Sequence, residues 1–132
     1  MLEAARAELA DGSPLPRDQT RELRRFVHGH RSDPRAHLVL ARHFVALAHD
    51  RSAIERYALA YEVDPSARHD ADMLSDLVRL AGHAPVSEEA GRLLRRVYGA
   101  SATDAIERRL ANPDLPRRDA DRLRELRDAL AR

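Results

Sequence analysis

The chain has 132 residues, 43% apolar and 34% charged, with 23 lysine-plus-arginine against 22 acidic side chains and a formal net charge of +1. All the lysine-plus-arginine total is arginine, and cysteine is absent. The missing lysine excludes a phosphate-loop or kinase lysine and Schiff-base chemistry, and the missing cysteine excludes a thiol nucleophile, a disulfide framework and a thiolate metal site.

Apolar residues recur at helical spacing along the whole chain, with no alternating β-branched run, so an all-α chain of about eight helices is expected. The first covers residues 2–11 and stops at Gly12. The second starts near Pro16, carries Leu23, Phe26 and Val27 on one face and ends at Gly29. Asp33 is a natural N-cap for the third and Pro34 fits its first turn; His37, Leu40, Ala41, Phe44, Val45 and Ala48 form its buried face. The fourth presents Ala53, Ile54, Tyr57, Ala58 and Tyr61 and ends before Asp64-Pro65, because proline cannot continue a helix. The fifth runs from Asp70 to Ala81 with Met73, Leu74, Leu77 and Val78 inward, closed by Gly82. Ser87 is read as the cap of the sixth, with Leu93, Leu94 and Val97 as its stripe and Gly99 as its end. Ser101 with Asp104 suggests a capping box for the seventh, which ends at Pro113. The eighth begins at Pro116 and shows Leu123, Leu126 and Leu130 at helical spacing. Short links force antiparallel neighbours, so four helical hairpins are expected, at about 1–30, 33–64, 68–98 and 101–131, in a single domain.

Residues 37–65 contain His37-x2-Leu40-Ala41-x2-Phe44, then Ala53-x3-Tyr57, then Pro65. This pattern resembles the tetratricopeptide repeat (TPR), a helix-turn-helix unit of about 34 residues. His37 stands where that family has a large aromatic, and Ala41 where it has glycine. A weaker copy follows, with Leu74, Ser75 and Val78 on its first helix and Ala90 and Leu94 arriving late on its second. The resemblance implies a right-handed superhelix of hairpins, a TPR-like α-solenoid. It also implies a concave groove, lined by the first helix of each hairpin, that holds a peptide. Carried onto this chain, the groove positions are Arg35, Leu38, Arg42, Val45 and Ala46, then His69, Asp72, Asp76, Arg79 and Leu80. The first set is basic and apolar, suited to an acidic or C-terminal carboxylate ligand through arginine forks. The alternative is that Arg42 pairs with Asp72 or Asp76 across the repeat junction. A second likeness, of Leu74 to Arg79 and Tyr98-Gly99, is to helical tails appended to bacterial serine/threonine kinases; the chain carries no kinase motif.

The expected function is therefore a non-catalytic protein–protein interaction module. A structural subunit that packs with itself or a larger complex, and a regulatory tail, are the alternatives. No catalytic residue, metal or cofactor is expected. His28-x-His30, His49-Asp50 and His69-Asp70-x-Asp72 hold ligand-type side chains, but none has the His-x3-His spacing that places two imidazoles on one helix face. Glu88-Glu89 and Asp70-x-Asp72 suit helix starts better than acid–base chemistry, and the Gly-x-Ser-x-Gly nucleophile elbow is missing. Arginines and acids balance in every stretch (residues 1–33 carry six of each), which argues against a nucleic-acid partner. In the last helix Arg117, Arg118, Arg122, Arg124 and Arg127 interleave with Asp119, Asp121, Glu125 and Asp128, which reads as a solvated capping helix. No apolar run suits a signal peptide or a membrane span, so a cytoplasmic location is expected.

Overall fold

A computed structural model describes residues 1–132. The chain is all-α, with eight helices: α1 (Leu2–Leu9), α2 (Arg17–Gly29), α3 (Pro34–Ala46), α4 (Asp50–Val63), α5 (Ala71–Gly82), α6 (Ser87–Val97), α7 (Thr103–Leu110) and α8 (Arg117–Leu130). Short 3-10 turns cover Pro65–His69 and Gly99–Ala102. No helix is long and apolar enough to cross a membrane. Two compact units divide the chain, Met1–Ala67 and Arg68–Arg132, so the boundary falls between the second and third expected hairpins.

In the first unit, α3 is the platform. It packs against α4 as an antiparallel hairpin, and both α1 and α2 lie against it while touching each other only slightly. The start of α3 follows from its sequence. Asp33 is the N-cap, its Oδ1 accepts the Arg35 N–H at 3.0 Å, and Pro34 occupies the first turn. At the far end of α4, Asp64 is extended ahead of Pro65 and its Oδ1 accepts the Ser66 N–H at 2.9 Å. That bond holds the Asp64 carboxyl below its usual range. The small residues Ala53 and Ala60 are fully buried on α4, with Tyr57 (0% exposed) between them and Phe44 (8%) on α3. Both rings expected in the interior are there. Phe44 and Ala53 belong to an apolar cluster with Ala5, Leu9, Leu15, Leu23, Val27, Ala36, Val39 and Leu40.

His43 is buried on the same helix. Its Nδ1 accepts the Leu15 N–H at 3.1 Å, so the neutral ring carries its hydrogen on Nε2, 3.4 Å from the Thr20 hydroxyl. Burial pushes this imidazole below the usual histidine value, and the nearby Arg24 and His49 add to the effect. A histidine depressed in the folded state contributes stability that is complete above its unfolded value of about 6.5 and is lost as pH falls from there toward the folded value. Urea unfolding between pH 7.5 and 5 is therefore expected to show wild type losing stability more steeply than His43→Gln. Parallel curves would show that His43 does not contribute.

In the second unit, α5 is the central helix, in contact with α6, α7 and α8. Asp70 caps it, with Oδ1 accepting the Met73 N–H at 3.0 Å. Gly82 ends it against α8: a Cβ there would lie 3.2 Å from Leu123 Cγ and 3.3 Å from the Asp119 carbonyl. The Gly82 carbonyl also accepts from Arg122 Nη1 at 3.1 Å. Gly99 takes a positive φ of 54° after α6, the left-handed conformation that terminates helices. Tyr98 closes this end: its hydroxyl donates to the Arg68 carbonyl at 2.9 Å, the Arg68 guanidinium lies 5.7 Å from its ring, and burial pushes its phenol up to about 12.

Two expected caps do not form. Ser87 is the first residue inside α6, with Val86 as the N-cap, and its hydroxyl donates back to the Ala81 carbonyl. Ser101 lies in the 3-10 turn and its hydroxyl donates to the Tyr98 carbonyl at 2.6 Å, so no capping box opens α7. In α8 the expected pairs Arg122–Asp119 (3.4 Å) and Arg124–Asp121 (3.1 Å) are present, while Arg127 reaches Glu107 on α7 at 3.1 Å. These are surface pairs of small energetic weight.

Candidate basic recess in the first unit

A recess of about 480 Å³ opens between α2, α3 and α4. Helical spacing builds each wall. Arg24, Val27 and His28 lie on one face of α2, and Arg31 follows in the turn after it. His37 and Leu40 share a face of α3, and Arg56, Leu59 and Val63 share a face of α4. No carboxylate lines the recess.

The polar contacts are specific. His37 is 4% exposed, and its Nε2 donates to the Arg31 carbonyl at 2.9 Å. Because a carbonyl only accepts, Nε2 bears the hydrogen, and in the neutral ring Nδ1 is a lone pair facing Arg56 Nη1 at 3.5 Å. Arg31 Nη2 donates to His28 Nδ1 at 3.0 Å. Arg24 sits over the Phe44 ring, 5.8 Å from its centre. The three guanidiniums are thus set by imidazoles and an aromatic face, and none of these contacts neutralises charge. Leu59 and Val63 add an apolar rim; at 38% and 37% exposure they are among the few large apolar side chains that face solvent. A cleft lined by one sign of charge focuses its field and raises the local concentration of anions.

A cleft of about 500 Å³ in the second unit is different in kind. Arg92, Arg95 and Arg122 share it with Glu88 and Glu125, over a floor that includes Gly91 and Leu126, so its charges largely offset one another.

The positions carried over from the repeat resemblance lie elsewhere. Arg35 is exposed, and its fork closes on Asp33, with Nε to Oδ1 at 3.1 Å and Nη2 to Oδ2 at 2.9 Å. The guanidinium beside it holds the Asp33 carboxyl below its usual range. Leu38 is buried and Val45 and Ala46 are half-buried. Arg42 is half-buried and already engaged by a neighbouring group. None of these five lines the recess. Asp72, Asp76 and Arg79 belong to the second unit: Asp76 is buried, Asp72 and Arg79 half-buried, and both acids are engaged. His69 is exposed and Leu80 fully buried. His37, read as a packed core histidine in place of an aromatic, is buried, and it also carries the polar contacts of the recess.

No group of three or more histidine, aspartate and glutamate side chains converges to hold a metal ion. Sequence reasoning missed Arg24, Arg31 and Arg56. Only Arg56 carried a signal in the sequence: it lies at helical spacing from Leu59 and Val63, two large apolar residues off the Ala53–Tyr57–Ala60 stripe. Compared with known proteins, the chain matches no family model, no curated protein and no solved structure.

Proposed function

We propose that the chain is a non-catalytic, TPR-like interaction module, and that the recess between α2, α3 and α4 receives an acidic group of a peptide or partner domain. The observation that supports this reading is the set of three arginines, Arg24, Arg31 and Arg56, gathered around one cavity without a carboxylate. In a chain with nearly as many acids as arginines, an internal partner was readily supplied elsewhere: Arg35, Arg122, Arg124 and Arg127 all have one. Guanidiniums that stay unpaired but oriented are suited to forked hydrogen bonds with an incoming anion. The acidic ligand inferred for the groove is retained, and its place moves from Arg35 and Arg42 to this recess.

Calorimetric titration of the full chain with a glutamate-rich peptide, against a lysine-rich control, tests the reading. The acidic peptide alone should bind, and binding should weaken with added salt. Hydrogen bonds to charged groups are worth about 1.5–3 kcal/mol each, so Arg31→Gln with Arg56→Gln should weaken binding by more than about tenfold, whereas Arg35→Gln should leave it unchanged. Far-ultraviolet circular dichroism of the variants checks that the helices persist. Equal binding by the double variant and wild type would overturn the assignment.

A further inference from the structure

We infer that the recess selects a phosphorylated peptide side chain that has an apolar neighbour. This rests on the acidic-partner reading above and narrows it to one class of anion. The reason is the balance of charge and acceptors. Three arginines line the cavity and no acid lines it. A carboxylate brings one charge and two oxygens. A phosphoryl group brings a charge of about −1.5 to −2 and three strong acceptor oxygens, one for each arginine.

The two imidazoles sharpen the match. His37 Nε2 is committed to the Arg31 carbonyl, and its Nδ1 lone pair meets Arg56 Nη1. His28 Nδ1 takes Arg31 Nη2 in the same way. Each ring therefore holds one nitrogen of an arginine and leaves the other N–H groups of that fork to the ligand. Arginines fixed beforehand lose less freedom on binding than mobile ones. His28 and His37 act as positioning residues, and the guanidiniums make the contact.

The rim decides the source of the phosphoryl group. Leu59 and Val63 are exposed beside the guanidiniums and can cover one apolar side chain next to the phosphorylated residue. A lipid surface fits less well, since it draws on juxtamembrane clusters of basic residues, and basic and acidic residues here balance in number in every stretch of chain.

The test uses the full chain and short synthetic alanine-rich peptides that differ at one position, Ser-Leu, phosphoserine-Leu and Glu-Leu. Calorimetry measures affinity, and the arginine Nε–Hε resonances report the site. The phosphoserine peptide is expected to bind at least about tenfold tighter than the glutamate peptide and to shift the Arg24, Arg31 and Arg56 resonances. Its second ionisation lies near pH 6, so its advantage should grow between pH 5.5 and 7.5. Arg56→Gln should lose at least about tenfold in affinity for it. Arg24→Gln, an exposed position, carries the same test should Arg56→Gln fail to fold. Equal affinity for the phosphoserine and glutamate peptides would overturn this inference and leave the acidic-partner reading standing. Failure of both peptides to bind would overturn both. Tighter binding to phosphatidylinositol-phosphate vesicles than to the phosphopeptide would overturn the peptide source.

Discussion

Tyr57→Ala is expected to lower the stability of the first unit by about 3–5 kcal/mol, the range for truncating a large buried ring. Tyr57 is 0% exposed, and its neighbours along the α4 face, Ala53 and Ala60, are fully buried alanines. Alanines have no rotamers with which to close a void, and α3 and α4 are the most closely paired helices of the unit. The cavity should therefore persist, and its lining loses dispersion contacts as well as hydrophobic transfer energy. A loss of this size is a large part of the 5–15 kcal/mol that holds a typical domain together. Urea unfolding followed by circular dichroism measures the loss, and amide exchange places it: protection should fall across residues 36–60. Tyr57→Phe keeps the ring volume and should cost far less. A Tyr57→Ala protein within about 1 kcal/mol of wild type would mean that this ring does not fill the space between the two helices.

The same residues show what the sequence made legible. Asp33-Pro34 and Asp64-Pro65 fix backbone geometry within two residues, and the helices begin and end there as expected. Most of the expected face of α3 is buried, but Ala48 falls beyond the helix, exposed at a φ of 58°, and Ala36, Leu38, Val39 and His43 are buried as well, because α1, α2 and α4 pack around α3 on more than one side. Ser87 and Ser101 were misread for a physical reason. A hydroxyl offers both a donor and an acceptor, and which partner it finds depends on the fold around it. Ser87 meets the Ala81 carbonyl and Ser101 the Tyr98 carbonyl, so neither caps the following helix.

The site was less legible than the helices. The resemblance placed arginines by register within one repeat, and register says nothing about whether a guanidinium is already occupied. Arg35 follows its own N-cap acid by two residues, and that proximity closes its fork on Asp33. The recess draws on three helices, and each contributes only one or two basic groups. No single stretch is basic, so a charge count along the chain cannot find a cluster that exists only after α2 and α4 have packed against α3. The same holds for His37. Its burial was expected, but its use as a bridge between the Arg31 carbonyl and the Arg56 side chain depends on where the turn after α2 returns to α3.

The second unit offers an equally large effect at the α5–α8 crossing. Leu123→Ala is expected to cost about 2–5 kcal/mol, because Leu123 is fully buried. Its partner across the interface is Gly82, and the two substitutions should not add. In wild type, an alanine at 82 would gain up to about 1 kcal/mol of helix propensity over glycine. Its Cβ, however, would stand 3.2 Å from Leu123 Cγ and 3.3 Å from both Leu123 Cδ1 and the Asp119 carbonyl. The leucine can shift a little, but the carbonyl belongs to the backbone of α8 and is held close by the Arg122 hydrogen bond to Gly82. Gly82→Ala alone is therefore expected to destabilise, by up to the 1–3 kcal/mol typical of overpacking. Once Leu123 is cut back to alanine, two of the three close contacts vanish, and the added methyl occupies part of the vacated space. The double variant should then be more stable than the sum of the singles predicts, by about 0.5–3 kcal/mol, the range found for residues in contact. Chemical denaturation of the four proteins closes the cycle. Additivity within about 0.3 kcal/mol would mean that Gly82 and Leu123 do not share that space, and that the approach of α5 to α8 has another cause.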